Sequence, residues 1–165
     1  MRLRTIVTPL TIAVLALSLT GCGAGSNAST RLISKVTDGA EGGVNADGND
    51  ISLCNFLLVA QPDGSAVVVG TVINEGANDD ALLGLAIPGI QAQFTGISTI
   101  SQNQTIRFEG ETTNAKAVIA GANLKPGTHT VLSLFFGTAG EVKLNVLVRA
   151  PEGIYAGVTN QASIL

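Results

Sequence analysis

The sequence has few of the side chains on which catalysis and metal binding usually depend. Its 165 residues include one histidine, His129, one methionine at position 1, no tryptophan, and only 4% aromatic residues. A Ser-His-Asp or Cys-His arrangement would have to be built on His129, which follows a turn and is predicted to be exposed to solvent. No glycine-rich loop of the phosphate-binding kind joins a strand to a helix. We therefore predict a protein that is not an enzyme and needs no cofactor.

Charged residues are also sparse, at 13% of the chain, with nine basic and twelve acidic side chains. Lysine and arginine form no cluster, so the sequence has no electrostatic footprint for nucleic acid and no polybasic patch for a membrane surface. Asp79 and Asp80 are adjacent in a polar stretch, where their side chains would point apart. We interpret them as part of a solvated loop and not as a paired-carboxylate site.

The N-terminus has the pattern of a bacterial lipoprotein signal. Arg2 and Arg4 precede an apolar run over residues 5–19, and Leu19-Thr20-Gly21-Cys22 resembles a lipobox. The apolar run is shorter than the roughly 20 residues that a membrane span requires. We predict a signal peptide over residues 1–21 and attachment of fatty acyl chains, such as palmitate, at Cys22. Two or three chains are enough for stable anchoring, which would place the protein on the extracytoplasmic face of a bacterial cell membrane.

Residues 22–49 are rich in Gly, Ser, Asn, Ala and Asp and show almost no apolar periodicity. Such a composition buries too little surface to offset the entropy of ordering, so we predict a flexible tether that begins at the lipid anchor. Within it, residues 31–36 are the one candidate for a docked strand or short helix. Residues 151–165 are predicted to form a C-terminal tail.

Short apolar segments separated by turn residues fill the remaining range, residues 50–150. Gln61-Pro62-Asp63-Gly64 is typical of a turn, and Gly137-Thr138-Ala139-Gly140 between two apolar runs predicts a hairpin. No convincing amphipathic helix is present. The pattern predicts an all-β domain, a two-layer antiparallel β-sandwich of the immunoglobulin type with seven or eight strands. We expect strands over residues 51–60, 65–74, 81–87, 90–97, 105–109, 115–122, 128–136 and 141–149.

Cys54 is the one thiol left once Cys22 carries lipid. An odd cysteine in an exported protein is either reactive or available for pairing between molecules. Here it lies in the apolar run of residues 51–60. We interpret it as a small buried hydrophobic residue.

Three stretches of the sequence carry a resemblance to a known family. They are Val72-Ile73-Asn74-Glu75-Gly76 with Asn78-Asp79-Asp80-Ala81-Leu82-Leu83-Gly84, then Leu124-Lys125-Pro126-Gly127, and then residues 132–136 with Ala139-Gly140-Glu141-Val142. In order and spacing they resemble the periplasmic copper(I) chaperones known as PCuAC, over residues 51–149. The resemblance implies a cupredoxin-like β-sandwich.

The copper ligands of that family have no counterpart in this chain. The resemblance implies a His-x-Met pair shortly before residues 124–127, and in this sequence the pair falls on Lys116 and Val118. The earlier ligands fall within residues 91–99, which contain neither His nor Met. Imidazole and thioether groups are what select Cu(I), so no metal ligand can be carried over. The chain therefore resembles an actinobacterial lipoprotein branch that keeps the scaffold without the metal site.

Three functions remain open from the sequence. The first is a membrane-anchored, non-enzymatic binding or adaptor module whose partner is another envelope protein. The second is handling of copper or another metal through non-standard ligands such as Cys54, His129 and nearby carboxylates, which would require the two residues to lie within about 4 Å, given metal bonds of about 2.0–2.3 Å. The third is carriage of an apolar molecule between the layers of the sandwich, which would require a sizeable cavity.

Overall fold

The computed structural model describes residues 37–161. The predicted signal peptide, the lipid attachment at Cys22, most of the predicted tether, and the candidate element at residues 31–36 lie outside the described residues, as do residues 162–165. What was inferred for these residues from the sequence therefore stays a prediction.

The described chain is built almost wholly of strands, which confirms the predicted all-β class. A single 3₁₀ turn, Gly153–Tyr155, follows the last strand. The eight strands that follow one another across the sheet agree with the predicted seven or eight, and three further strands pair beside them. In chain order the strands are β1 (Ala40–Ala46), β2 (Asn49–Ala60), β3 (Ala66–Asn74), β4 (Asp80–Ile87), β5 (Ile90–Gln91), β6 (Gln93–Gly96), β7 (Thr99–Ile100), β8 (Thr105–Arg107), β9 (Ala115–Ile119), β10 (His129–Phe136) and β11 (Glu141–Arg149).

The hydrogen-bonded order of the main strands is β5-β4-β10-β11-β2-β3-β9-β6. Its two end strands, β5 and β6, are consecutive in the chain and separated only by Ala92, which is buried. The backbone N–H of Ala92 donates to the carbonyl of Leu85 at 2.8 Å. The segment 90–96 therefore pairs with β4 through its first part and with β9 through its second part. It closes one side of the sandwich, so this side has no free sheet edge.

One strand pair departs from the expected antiparallel arrangement. The end of β11 lies parallel to the end of β2, with Val148 opposite Leu58 and Arg149 opposite Val59. The first half of β2 is already paired with β1, so β11 meets β2 only beyond that point. Among residues 37–161, both β1 and the greater part of β11 have no hydrogen-bonded partner strand on one edge at this side.

The core lies between the layers and is filled by alternate residues of the strands. Ile106 and Phe108, predicted to face inward, are buried, and so are Leu144, Val146 and Val148 of β11. Phe108 packs against the rings of Phe56 and Phe94 at centroid distances of 6.0 and 6.1 Å. These distances are in the range that aromatic pairs prefer.

A bulge in β2 brings Phe56 into that aromatic group. The register with β3 shifts between Cys54 and Leu57, and Asn55 has a φ of 55°. The side-chain carbonyl of Asn55 accepts a hydrogen bond from the N–H of Gly39 at 3.1 Å. Opposite the bulge, Gly70 has a φ of 153°, and a Cβ there would lie 2.8 Å from the Phe56 ring. Glycine at position 70 is therefore required by both the backbone and the packing.

The ordered body extends beyond the predicted domain, residues 50–150, at both ends. Strand β1 begins at Ala40, inside the range predicted as tether. After β11, residues 150–160, here called the cover segment, lie on the outer face of β2 and β3, and all but the first of them fall in the range predicted as tail, residues 151–165. Tyr155 and Val158 of the cover segment are buried against Leu57, Val59 and Val67. The composition of both ends is loop-like, but their few apolar residues find a partner surface on the sheet.

Asp80 differs from its predicted place in a solvated loop, because it is buried. Its carboxylate accepts backbone N–H hydrogen bonds from Ala81 at 2.7 Å, and from Thr138 and Ala139 at 2.9 Å each. Asp79, beside it, is exposed. Asp80 therefore joins the start of β4 to the β10–β11 hairpin, which is a structural role.

Candidate functional site

The two stretches onto which the copper ligands of the PCuAC family would fall, residues 91–99 and the pair Lys116 and Val118, lie side by side in the structure. Strand β6 pairs with β9, with Gln93 opposite Val118 and Thr95 opposite Lys116. Lys116 and Val118 are two residues apart on one strand, so their side chains leave the same face. Both are partly exposed, while Ala115, Ala117 and Ile119 between and beside them are buried. The side chains of Gln93 and Thr95 on β6 and of Lys116 and Val118 on β9 therefore share one outer surface.

Lys116 forms an ion pair at this surface, with Glu109. Its Nζ lies 3.5 Å from Oε1 of Glu109, and only 12% of the Lys116 side chain and 20% of the Glu109 side chain are exposed. Burial raises the pKa of the Glu109 carboxyl, and the attraction of Lys116 opposes that rise without cancelling it. Oε1 makes no hydrogen bond to the described residues. At 3.5 Å the pair is longer than an ordinary hydrogen bond, so it is held mainly by charge.

The loop that carries Glu109 is fixed by its own polar side chains. Asn114 accepts from the N–H of Arg107 at 2.7 Å and donates to the carbonyl of Thr105 at 2.8 Å. The hydroxyl of Thr113 donates to the carbonyl of Arg107 at 3.0 Å. These bonds tie the far end of the loop back to β8, from which the loop starts. Glu109 is therefore presented on a stable turn that directly follows the buried Phe108.

Two neighbouring surface depressions meet at this loop and share Glu109, Gly110, Glu111 and Gly157. The larger has a volume of about 570 Å³, and the smaller, which reaches Lys116, about 290 Å³. We call the larger one the acidic groove. Apart from glycines, its lining consists of Val69, Glu109, Glu111, Ile154, Tyr155 and Val158.

The cover segment forms one wall of the acidic groove and is held by polar contacts as well as by burial. The side-chain amide of Gln61 donates to the carbonyl of Val158 at 3.1 Å, and that of Asn160 donates to the carboxylate of Asp63 at 2.6 Å. The guanidinium of Arg149 lies 5.8 Å from the centre of the Tyr155 ring and also pairs with Asp38. Hydrogen bonds from Ser65 and Asn160 lower the pKa of the Asp63 carboxyl.

Sequence reasoning missed the cover segment and with it the groove. A usable signal was present in β2 and β3, where Leu57, Val59 and Val67 follow directly on apolar neighbours that face the core. A strand that is apolar on both faces must be covered on both. The outward residues of these strands therefore required a further element, and the apolar residues Tyr155 and Val158 of the cover segment supply it.

The structure does not bring Cys54 and His129 together. His129 pairs with Leu147 on β11, while Cys54 pairs with Thr71 on β3. Strands β10 and β2 are separated by β11, which places the two residues about 10 Å apart across the sheet. They are also offset along the strands. His129 lies opposite Leu147, which is next to Val148, and Val148 lies opposite Leu58, four residues after Cys54. This separation is too large for a shared metal ion, which needs bonds of about 2.0–2.3 Å.

Cys54 is half-buried, not fully buried as predicted. Burial raises the pKa of its thiol, and the carboxylates of Glu41 and Glu75 raise it further. A raised pKa keeps the thiol protonated at neutral pH, and the protonated form is a poor nucleophile and a poor metal ligand.

Between residues 37 and 161, no three His, Cys, Asp or Glu side chains are arranged to hold a metal ion. The same range contains no helix that is long and apolar enough to cross a membrane.

The chain is similar to several solved PCuAC structures. The copper-bound PCuAC domain from PmoF2 superposes with a TM-score of 0.56 at 20% identity, covering 67% of this chain and 98% of that domain. The apo PCuAC domain from PmoF1 gives 0.55 at 20% identity, with coverages of 67% and 100%. The apo PmoF2 domain gives 0.56 at 17% identity, with coverages of 69% and 97%. No family profile and no curated protein matches the sequence. The chain therefore has the cupredoxin-like β-fold of the PCuAC domains.

Proposed function

We propose that this protein is a lipid-anchored, extracytoplasmic binding protein, non-enzymatic, that uses a PCuAC-type β-sandwich as a scaffold for protein contacts. In this proposal the Lys116–Glu109 ion pair occupies the position at which the family resemblance places a metal site. One of the similar domains is copper-bound, so copper handling is the function against which the proposal has to be weighed.

The observation that carries the proposal is the composition of the β6–β9 surface. The positions that the family resemblance gives to a His-x-Met pair hold Lys116 and Val118, and their cross-strand neighbours are Thr95 and Gln93. Neither Lys⁺ nor Val offers a lone pair to Cu(I), and soft imidazole or sulfur ligands are what Cu(I) requires. Lys116 is moreover engaged with Glu109. A cation held in this position repels an arriving metal ion.

The alternative of a metal site on Cys54 and His129 is weakened by their separation across β11. Carriage of an apolar molecule between the layers is weakened by the core itself, in which Phe56, Leu85, Leu132 and Val146 are fully buried against their neighbours.

A competition titration against a colorimetric Cu(I) chelator tests the proposal under anaerobic, reducing conditions. We expect the protein to leave the chelator's spectrum unchanged at one equivalent, and Cys54→Ser to behave in the same way. Stoichiometric removal of Cu(I) by both proteins would favour a metal handler instead. A signal from the wild type that disappears in Cys54→Ser would be assigned to the thiol alone.

The membrane anchor has a separate test. Metabolic labelling with a fatty acid analogue should label the wild-type protein and leave Cys22→Ala unlabelled, because that thiol is the proposed attachment point. Label retained in Cys22→Ala would refute the anchor.

A further inference from the structure

We infer that the acidic groove is a docking site for a partner polypeptide segment in which basic side chains alternate with apolar ones. This inference rests on the proposed function and names the binding surface and the chemistry of the partner.

The first argument is the balance of charge. All twelve acidic residues of the chain lie between residues 37 and 161, but only five of the nine basic residues do. Three of those five, Lys116, Lys143 and Arg149, are already paired with Glu109, Glu141 and Asp38. The described body therefore has a large excess of unpaired carboxylates, and a basic partner is the complement of such a surface.

The second argument is the placement of charge at the groove. Glu111 is exposed, lines both depressions, and forms no ion pair with any residue of the described range. Glu109 lines both depressions too, although its Oε1 is buried and faces Lys116. Two cations stand near the groove: Lys116 faces Glu109 at 3.5 Å and only partly compensates it, and Arg149, beside Tyr155, is paired with Asp38. A cation from a partner would therefore meet the exposed carboxylate of Glu111, with the ion-paired Glu109 two residues before it on the same loop.

The third argument is the apolar surface between and beyond these carboxylates. Ile154 is 85% exposed, the highest value among the large apolar residues of the described body. It stands beside Tyr155 and Val158, which are themselves buried on the sheet and so form a firm floor. A volume of about 570 Å³ is within the range of about 300–1,000 Å³ typical of ligand clefts. A concave, firm, apolar surface with charge at its rim is the form in which short peptide segments are usually recognised.

The exposed apolar residues of the opposite layer do not meet these conditions. Leu83, Val131 and Phe135 lie on the outer face of β4 and β10 and are exposed. They line none of the depressions described above, and the carboxylate beside them, Glu141 opposite Phe135, is already paired with Lys143. They provide a matched control for the apolar part of the groove.

The test uses two pools of acetylated, amidated hexapeptides. In one, Lys or Arg alternates with Leu, Val or Ile; in the other, Gln replaces each basic residue. Binding to the full chain in detergent is followed by backbone amide chemical shifts. We expect the basic pool to shift the resonances of Gly110, Ile154 and Gly157, and to bind at least tenfold more tightly than the Gln pool.

Two pairs of variants locate the site. Ile154→Ser should weaken binding of the basic pool by about tenfold or more, since an exposed Ile that becomes buried is a large apolar contribution, while Leu83→Ser should leave it unchanged. Glu111→Gln should weaken it several-fold, while Glu41→Gln, an exposed carboxylate on β1, should not. Ile154 and Glu111 are exposed, so neither change endangers the fold.

Equal effects of Ile154→Ser and Leu83→Ser would overturn the inference, as would equal binding of the two pools or shifts confined to residues outside the groove. Any of these results would leave the Cu(I) titration untouched, so the docking site can fail while the proposed function stands. Conversely, stoichiometric Cu(I) binding would refute the proposed function without moving the groove resonances.

Discussion

Breaking the Lys116–Glu109 pair on one side should destabilise the protein more than removing the pair altogether. At 3.5 Å and an effective dielectric constant of about 20, the attraction between the two charges is about 5 kcal/mol. The cost of withdrawing each ion from water is several kcal/mol, so the net contribution of the pair is close to zero. Only 12% of the Lys116 side chain and 20% of the Glu109 side chain are exposed, so water would solvate a charge left without its partner only poorly.

Lys116→Met leaves Glu109 as a mostly buried carboxylate without its counter-charge. A fully buried charge left in this way costs about 3–5 kcal/mol, and the remaining exposure of Glu109 reduces the expected loss to about 1–3 kcal/mol at pH 7. The double variant Lys116→Met with Glu109→Leu removes both charges and should unfold within about 1 kcal/mol of the wild type, or be more stable. The free energy of unfolding is measured in urea for the wild type, both single variants and the double variant.

The loss in Lys116→Met should also depend on pH. The folded-state pKa of Glu109 is raised above its ordinary value of 4.5, so the folded protein binds a proton more tightly than the unfolded chain. Stability is therefore highest below about pH 4.5 with respect to this group and falls as the pH rises through the folded-state pKa. Removing Lys116 raises that pKa further, so the loss should shrink as the pH is lowered toward 4.5.

Lys143→Met is the matched control, because Lys143 pairs with Glu141 on the surface and is 62% exposed. It should cost less than about 0.5 kcal/mol at either pH. The reasoning is refuted if the double variant loses as much as the sum of the two single variants, or if the loss in Lys116→Met is unchanged between pH 7 and pH 4.5.

Three further predictions concern the core, the cover segment and the β9 surface. Leu134→Ala should destabilise the protein by about 2–5 kcal/mol in urea, because Leu134 is fully buried, while Lys143→Ala should cost under about 0.5 kcal/mol; equal losses would mean that the faces of the hairpin are misassigned. The pKa of Asp63 is lowered, so its stabilising bonds are present above its ordinary value of 3.8 and are lost as the pH falls through the lower folded-state pKa. Asp63→Asn should abolish this acid-dependent step, followed as faster amide exchange in the cover segment; an unchanged step would show that another group controls it. Finally, Lys116→His combined with Val118→Met should give Cu(I) binding that the wild type lacks in the chelator competition, since both side chains leave one face of β9; no gain would show that this surface is not where the ligands of the similar domains converge.

The strands could be predicted from the sequence because their signals are local. The run at residues 51–60 and the hairpin around residues 137–140 combine apolar alternation with turn residues, and both are found where they were expected. The closure of the sandwich is not local. It depends on Ala92, a residue with no distinctive signal, which allows one short segment to pair with strands of both layers. The parallel contact of β11 with β2 likewise joins residues about 90 positions apart in the chain.

The candidate site was predictable only in part. The resemblance pointed to Lys116 and Val118, and the structure sets them beside the other stretch singled out, through the β6–β9 register. Nothing in the sequence connected Lys116 with Glu109, because an ion pair depends on side-chain directions that strand periodicity does not specify. The burial of Asp80 was missed for a similar reason, since the three backbone donors that it satisfies come partly from a hairpin 58 residues away.

Arg149 contacts both Asp38, near the start of the described chain, and Tyr155 of the cover segment. These contacts form a mechanical link between the two ends of the described chain. Tension applied to the chain ahead of residue 37 reaches the Asp38 ion pair before it reaches the hydrogen bonds of β1. Arg149 is also the last residue of β11 and lies opposite Val59 of β2, so from it the load divides between the sheet and the Tyr155 ring in the wall of the acidic groove. The first contact to yield under such tension would be a surface ion pair, which can form again when the tension is released.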